Sequence, residues 1–122
     1  MKIERELRLV HCSDGRIKKE YQLSEPVTGE FAAFCGQFGS VRVIEGLKAP
    51  YFTFLISDCL NIKGFIGGRS IEVWFSPEYV GPGEEFILLL AEDSASGIPG
   101  PGLRERHQQL TDRGAGTPAR QT

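Results

Sequence analysis

At 122 residues, 40% of them apolar and 25% charged, the chain suits one globular domain and has too little material for a second core. Its net charge of −2 divides unevenly: residues 1–93 hold ten Lys/Arg against fourteen Asp/Glu, and residues 94–122 hold four against two. An acidic folded part without a basic face argues against nucleic acid, which is bound chiefly by Lys and Arg set against phosphates, and no apolar run approaches the roughly 20 residues of a membrane span.

The opening Met1-Lys-Ile-Glu-Arg-Glu-Leu-Arg8 interleaves charge with apolar residues and lacks the apolar core of a signal peptide, so a cytoplasmic location is expected. Three cysteines, Cys12, Cys35 and Cys59, are an odd number for a disulfide framework and are expected to be reduced. Residues 3–11 alternate Ile3, Leu7 and Leu9 with Glu4, Glu6 and Arg8, the period of a half-buried strand, and Ile17, Tyr21 and Leu23 continue it. Between them lies Ser13-Asp14-Gly15. A two-residue Asp-Gly turn would split the apolar set between two faces. A three-residue loop with Gly15 in the left-handed conformation instead pairs Cys12 with Arg16, Leu9 with Lys19, Arg8 with Glu20 and Leu7 with Tyr21.

Val27, Phe31, Phe34, Cys35 and Phe38 recur at spacings of three and four, predicting an amphipathic helix within 26–38. Ser24 with Pro26 offers one start and Thr28 with Glu30 another. A strand follows at 41–44. Tyr51–Ile56 is apolar on both parities and reads as a central strand covered on both faces. Residues 60–66 and 70–75 flank Gly67-Gly68 as a second hairpin. Phe86–Ala91, preceded by Glu84-Glu85, favours helix over strand through its Leu and Ala content. After Asp93, only Ile98, Leu103 and Leu110 are large and apolar, so 94–122 reads as a disordered tail behind a single 1–93 domain. The order β-β-α-β-β-β-β-α gives an α+β fold, a small antiparallel sheet with one or two helices packed on one face.

No set of reactive residues emerges. His11 and Cys12 are strand neighbours that point to opposite faces. Cys35 falls near a helix C-terminus, where a thiolate is disfavoured. Zinc would require Cys12, Cys35, Cys59 and His11 to converge without any Cys-x-x-Cys knuckle, so no metal is expected; Asp58 reads as a turn former. The glycines of 64–69 match neither a Walker nor a dinucleotide pattern, and no cofactor is expected. Trp74 stands out, because Ile71, Val73 and Phe75 share one parity while Glu72 and Trp74 share the other; if the first set faces the core, Trp74 is either covered by a helix or the strand's end, as most tryptophans are, or exposed on the outer face, where a tryptophan favours binding. The expectation is therefore a non-catalytic interaction or assembly module acting through Trp74 and Glu72 on a protein partner or a second copy of itself. The rival is a small-ligand or cofactor-binding protein, or a minor enzyme, with a pocket between sheet and helix near Cys35 and His11.

Overall fold

The computed structural model describes residues 1–46 and 48–120, with side chains through Thr111. Six strands, β1 (Ile3–His11), β2 (Ile17–Leu23), β3 (Ser40–Ile44), β4 (Tyr51–Ile56), β5 (Leu60–Phe65) and β6 (Ser70–Phe75), form one antiparallel sheet in the order β1-β2-β6-β5-β4-β3. Helices α1 (Gly29–Cys35), α2 (Val80–Ser94) and α3 (Pro101–Arg120) complete it. Strands β3 to β6 are a meander, and the β1–β2 hairpin joins it when β2 pairs with β6.

The first hairpin turns as its sequence predicts. Gly15 has φ +92°, its N–H donates to the Cys12 carbonyl and the Cys12 N–H to that of Arg16, at 3.1 and 2.8 Å. Arg8 pairs with Glu20 and Leu9 with Lys19, but Glu6 rather than Leu7 pairs with Tyr21. A bulge between Glu6 and Arg8 takes up the extra residue, and Leu7 and Leu9 remain more than 40% exposed. The apolar face expected of β1 is thus largely given up at this edge strand, where an interrupted, charged ladder resists pairing with other chains.

Helix α1 starts at the second of its two candidate caps: the Thr28 hydroxyl accepts the Phe31 N–H at 3.0 Å. Its stripe of Phe31, Phe34 and Cys35, with flanking Val27 and Phe38, is buried. Helix α2 begins earlier than 84, at Val80, because Pro82 lies in the first turn, where its missing N–H has no intrahelical partner to lose. It lies directly on β6, with a Cβ at Gly83 placed 2.9 Å from the Phe75 ring.

All of this burial is on one side of the sheet. Phe52, Phe54, Ile62, Val73, Phe75, Phe86 and Leu90 form a single core with α1, α2 and the start of α3. Strand β4 is accordingly covered on one face only: Phe52, Phe54 and Ile56 are buried while Leu55 is 43% exposed. Continuous apolarity misled here because the outward Tyr51 and Leu55 serve the open face instead of a second helical layer.

The first part of the expected tail is folded. Residue 94 ends α2, the Asp93 carboxylate accepts the Gly100 N–H at 2.8 Å, and α3 follows with Leu103 and Leu110 both 0% exposed. Two leucines seven residues apart share one helical face, and the core supplies the stability that an isolated short helix lacks. His107, on the same helix, donates from Nε2 to the Phe38 carbonyl at 2.8 Å, with its ring 5.0 Å from that of Phe38. The domain therefore extends to at least Leu110; the last two residues of the expected tail lie outside the described residues. No helix among the described residues is long and apolar enough to cross a membrane.

Candidate interaction site on the open sheet face

Because the helices occupy one face, strand alternation delivers every second residue of the six strands to the other. One row across that face runs Val10, Lys18, Trp74, Asn61, Leu55 and Ser40; the next runs Arg8, Glu20, Glu72, Lys63, Thr53 and Arg42. Trp74 is near the middle, half-buried by its neighbours and covered by no helix among the described residues, while Ile71, Val73 and Phe75 face the core. The Nζ atoms of Lys18 and Lys63 stand 5.4 and 4.8 Å from the indole centroid. Such contacts stabilise by about 0.5–1 kcal/mol at exposed sites. Glu72 holds one of them in place, with its Oε2 3.5 Å from Lys18 Nζ. Trp74 and Glu72 therefore belong to one arrangement, linked through Lys18.

Two grooves flank this centre. The first, of about 300 Å³, lies where the β4–β5 turn meets the end of β6, and Trp74, Asn61, Leu55, Ser57, Asp58, Ser76 and Arg16 line it. The second, of about 260 Å³, is bordered by Glu20, Tyr51, Lys63, Phe65 and Glu72. There the Tyr51 and Phe65 rings meet edge to face at 4.9 Å. Exposed Leu55, Phe65 and Ile44 make this half of the face apolar.

The turn beside the first groove is tight. The Cys59 N–H donates to the Ile56 carbonyl at 2.9 Å, leaving Ser57 and Asp58 as its two central residues. Ser57 has φ +42°, a conformation that costs a non-glycine residue on the order of 1 kcal/mol. The Ser76 hydroxyl donates to the Asp58 carbonyl and ties the turn to β6. Asn61 Oδ1 is buried and has no hydrogen-bond donor among the described residues.

The sequence singled out Cys35 and His11 for a pocket between sheet and helix, and the structure keeps them apart. Cys35 is fully buried in α1, over β3 and β4, and burial pushes its thiol well above the ordinary value. His11 is exposed at the end of β1, the opposite edge of the sheet. Neither lines the grooves described above. Cys12 is partly exposed and Cys59 buried, all three cysteines being free thiols, and among the described residues no group of three His, Cys, Asp or Glu could hold a metal ion.

Sequence reading missed a charged cluster on the helical side. Lys19, between Ile17 and Tyr21 on the inward parity, meets Glu84 of α2 and Glu6 of β1 at 3.0 Å each, and the Tyr21 hydroxyl donates to Glu84 at 2.6 Å. Its parity was the available signal: an inward lysine requires a carboxylate partner. Burial works against the Glu84 carboxylate, but the Tyr21 and Lys19 hydrogen bonds prevail and hold its pKa below the ordinary value. Burial, reinforced by the Glu84 hydrogen bond, pushes Tyr21 up; for Lys19 burial acts downward, and the Glu6 and Glu84 bonds overcome it to raise the pKa.

Tyr21, Lys19 and Cys35 all bind their protons more tightly folded than at the ordinary values of 10.0, 10.5 and 9.0. Their contributions are complete below those values and are lost as pH rises toward the folded-state pKa. The thermal midpoint is thus expected to hold between pH 7 and 9 and then fall, each group that ionises only in the unfolded chain costing about 1.4 kcal/mol per pH unit. Melting curves from pH 7 to 11 test this; a midpoint that stays level through pH 11 would contradict it.

Comparisons with protein-family models, with curated proteins and with solved structures returned no match to this chain.

Proposed function

We propose that the protein is a non-catalytic interaction module that engages a protein partner, a second copy of itself being the simplest, through the open sheet face centred on Trp74. One observation carries this reading: the single tryptophan stands near the middle of the sheet face opposite the one on which the helices and the core pack. Large aromatic residues left at a surface are over-represented among the anchors of protein interfaces. Leu55 extends the apolar surface beside it toward β3, and Phe65 and Ile44 form a second apolar patch, with the charged row of Arg8, Glu20, Glu72 and Lys63 crossing the face between the two. Edge β3 also suits assembly better than β1, since its ladder with β4 is unbroken and Val43 and Ile44 are exposed.

Hydroxyl-radical footprinting, performed on the isolated protein and on the concentrated or partner-bound protein, tests the location. Protection should appear together at Trp74, Leu55 and Phe65, while Leu88 and Ile98, which are exposed away from this face, keep their reactivity. Protection confined to Leu88 and Ile98 would overturn the proposal.

A further inference from the structure

The groove between the β4–β5 turn and Trp74 has a chemical preference of its own. Among the described residues its buried Asn61 Oδ1 has no donor, and an acceptor withdrawn from water without a partner is a cost that a ligand N–H would remove. Asp58 also lines the groove, and among the described residues its carboxylate has no cationic partner. The Ser57 and Ser76 side chains line it as well, so hydroxyl oxygens add acceptor capacity, and the indole of Trp74 forms a wall. Acceptors beside an aromatic ring are the surroundings that a primary ammonium requires, with three donors to place and a positive charge to offset.

The cations already present do not fill this role. Arg16 is committed to Asp14, its Nε and backbone N–H lying 2.8 and 3.0 Å from the two carboxylate oxygens. Those contacts, led by the backbone hydrogen bond, hold Asp14 below the ordinary pKa. Lys18, which Glu72 holds, and Lys63 both stand over the Trp74 ring, but neither lines this groove, Lys63 bordering the second one. A groove of about 300 Å³ is at the small end of ligand sites, suited to one side chain and its flanking backbone. The strained Ser57 turn fixes Asp58 at its rim without a glycine's looseness.

We propose that this groove receives a lysine side chain of the protein partner, its ammonium donating to Asn61 Oδ1 and Asp58 while its methylenes lie against Trp74 and Leu55. The proposal rests on the interaction-surface reading and names what that surface recognises. The overall acidity of residues 1–93, ten Lys/Arg against fourteen Asp/Glu, favours approach of a basic segment.

The fluorescence of Trp74, the only tryptophan, reads binding directly. The full chain is titrated with Nα-acetyl-lysine methylamide, and in parallel with the norleucine analogue, which keeps the chain length and lacks the ammonium. The lysine probe should give a saturable change with a Kd in the millimolar range, about tenfold weaker in Asp58→Asn and in Asn61→Leu. Asn is readily accepted in a turn, so the Asp58 variant is expected to melt like the parent and its loss of binding to report the groove. Equal response to the norleucine probe, or unchanged binding by Asp58→Asn, would overturn the lysine assignment. If no lysine response occurs while footprinting still protects Trp74, the assignment falls and the interaction surface stands. Absence of both removes the surface as well.

Discussion

Phe75→Ala is expected to bring the domain close to unfolding. The side chain is fully buried between the sheet and α2, and α2 approaches so closely that a Cβ at Gly83 would be 2.9 Å from the ring. Truncation leaves a void that a helix fixed by Phe86, Ile87 and Leu90 cannot close. Such substitutions cost about 3–5 kcal/mol, against roughly 5–15 kcal/mol for the whole domain. At about 4 °C per kcal/mol the thermal midpoint should fall by more than 10 °C. A melt within 3 °C or so of the parent would show that α2 collapses onto β6 and that the contact is not a fixed one.

The second large effect concerns α3. A chain ending at Gly100 loses Leu103 and Leu110 from the core, together with the His107 bond to the Phe38 carbonyl. Each leucine truncated singly to Ala should cost about 2–5 kcal/mol. The shortened chain should therefore lose cooperative melting and expose apolar surface around Phe86 and Phe38, which lie within 6.0 Å of the His107 ring. Arg104→Ala, at an exposed position of the same helix, serves as the control and should melt normally. Calorimetry on the three chains decides the matter: a cooperative, parent-like transition in the shortened chain would mean that α3 contributes nothing to the fold.

Helices α1 and α3 show where the sequence was legible and where it was not. Helix α1 announced itself because Phe31, Phe34 and Cys35 recur at helical spacing, and its stripe is what the core buries. The first turn was legible because Gly15 alone suits its positive φ. The bulge at Leu7 had no local signature, since Glu6 and Leu7 fit either register until the rest of the sheet fixes one. Helix α3 was missed for a similar reason. Two leucines among Gly, Pro and polar residues carry too little apolar surface to predict folding, and their docking depends on contacts far away in sequence. On the open face, period-two alternation alone put Trp74 opposite Ile71, Val73 and Phe75. The groove beside it was invisible, because Arg16, Asp58, Asn61 and Trp74 meet only once β5 and β2 both pair with β6.

The central claim is that Trp74 serves binding while its neighbour Phe75 serves the fold. Sedimentation velocity over a concentration series, with a melting curve on each sample, tests it most directly in the parent and Trp74→Ala. The account predicts that Trp74→Ala melts within about 3 °C of the parent, since it forfeits only half-buried surface and two cation–π contacts. Its association with a second copy or with an added partner should weaken by at least about thirtyfold, the equivalent of 2 kcal/mol at an interface anchor. Melting as poor as that of Phe75→Ala, or association equal to the parent's, would contradict it.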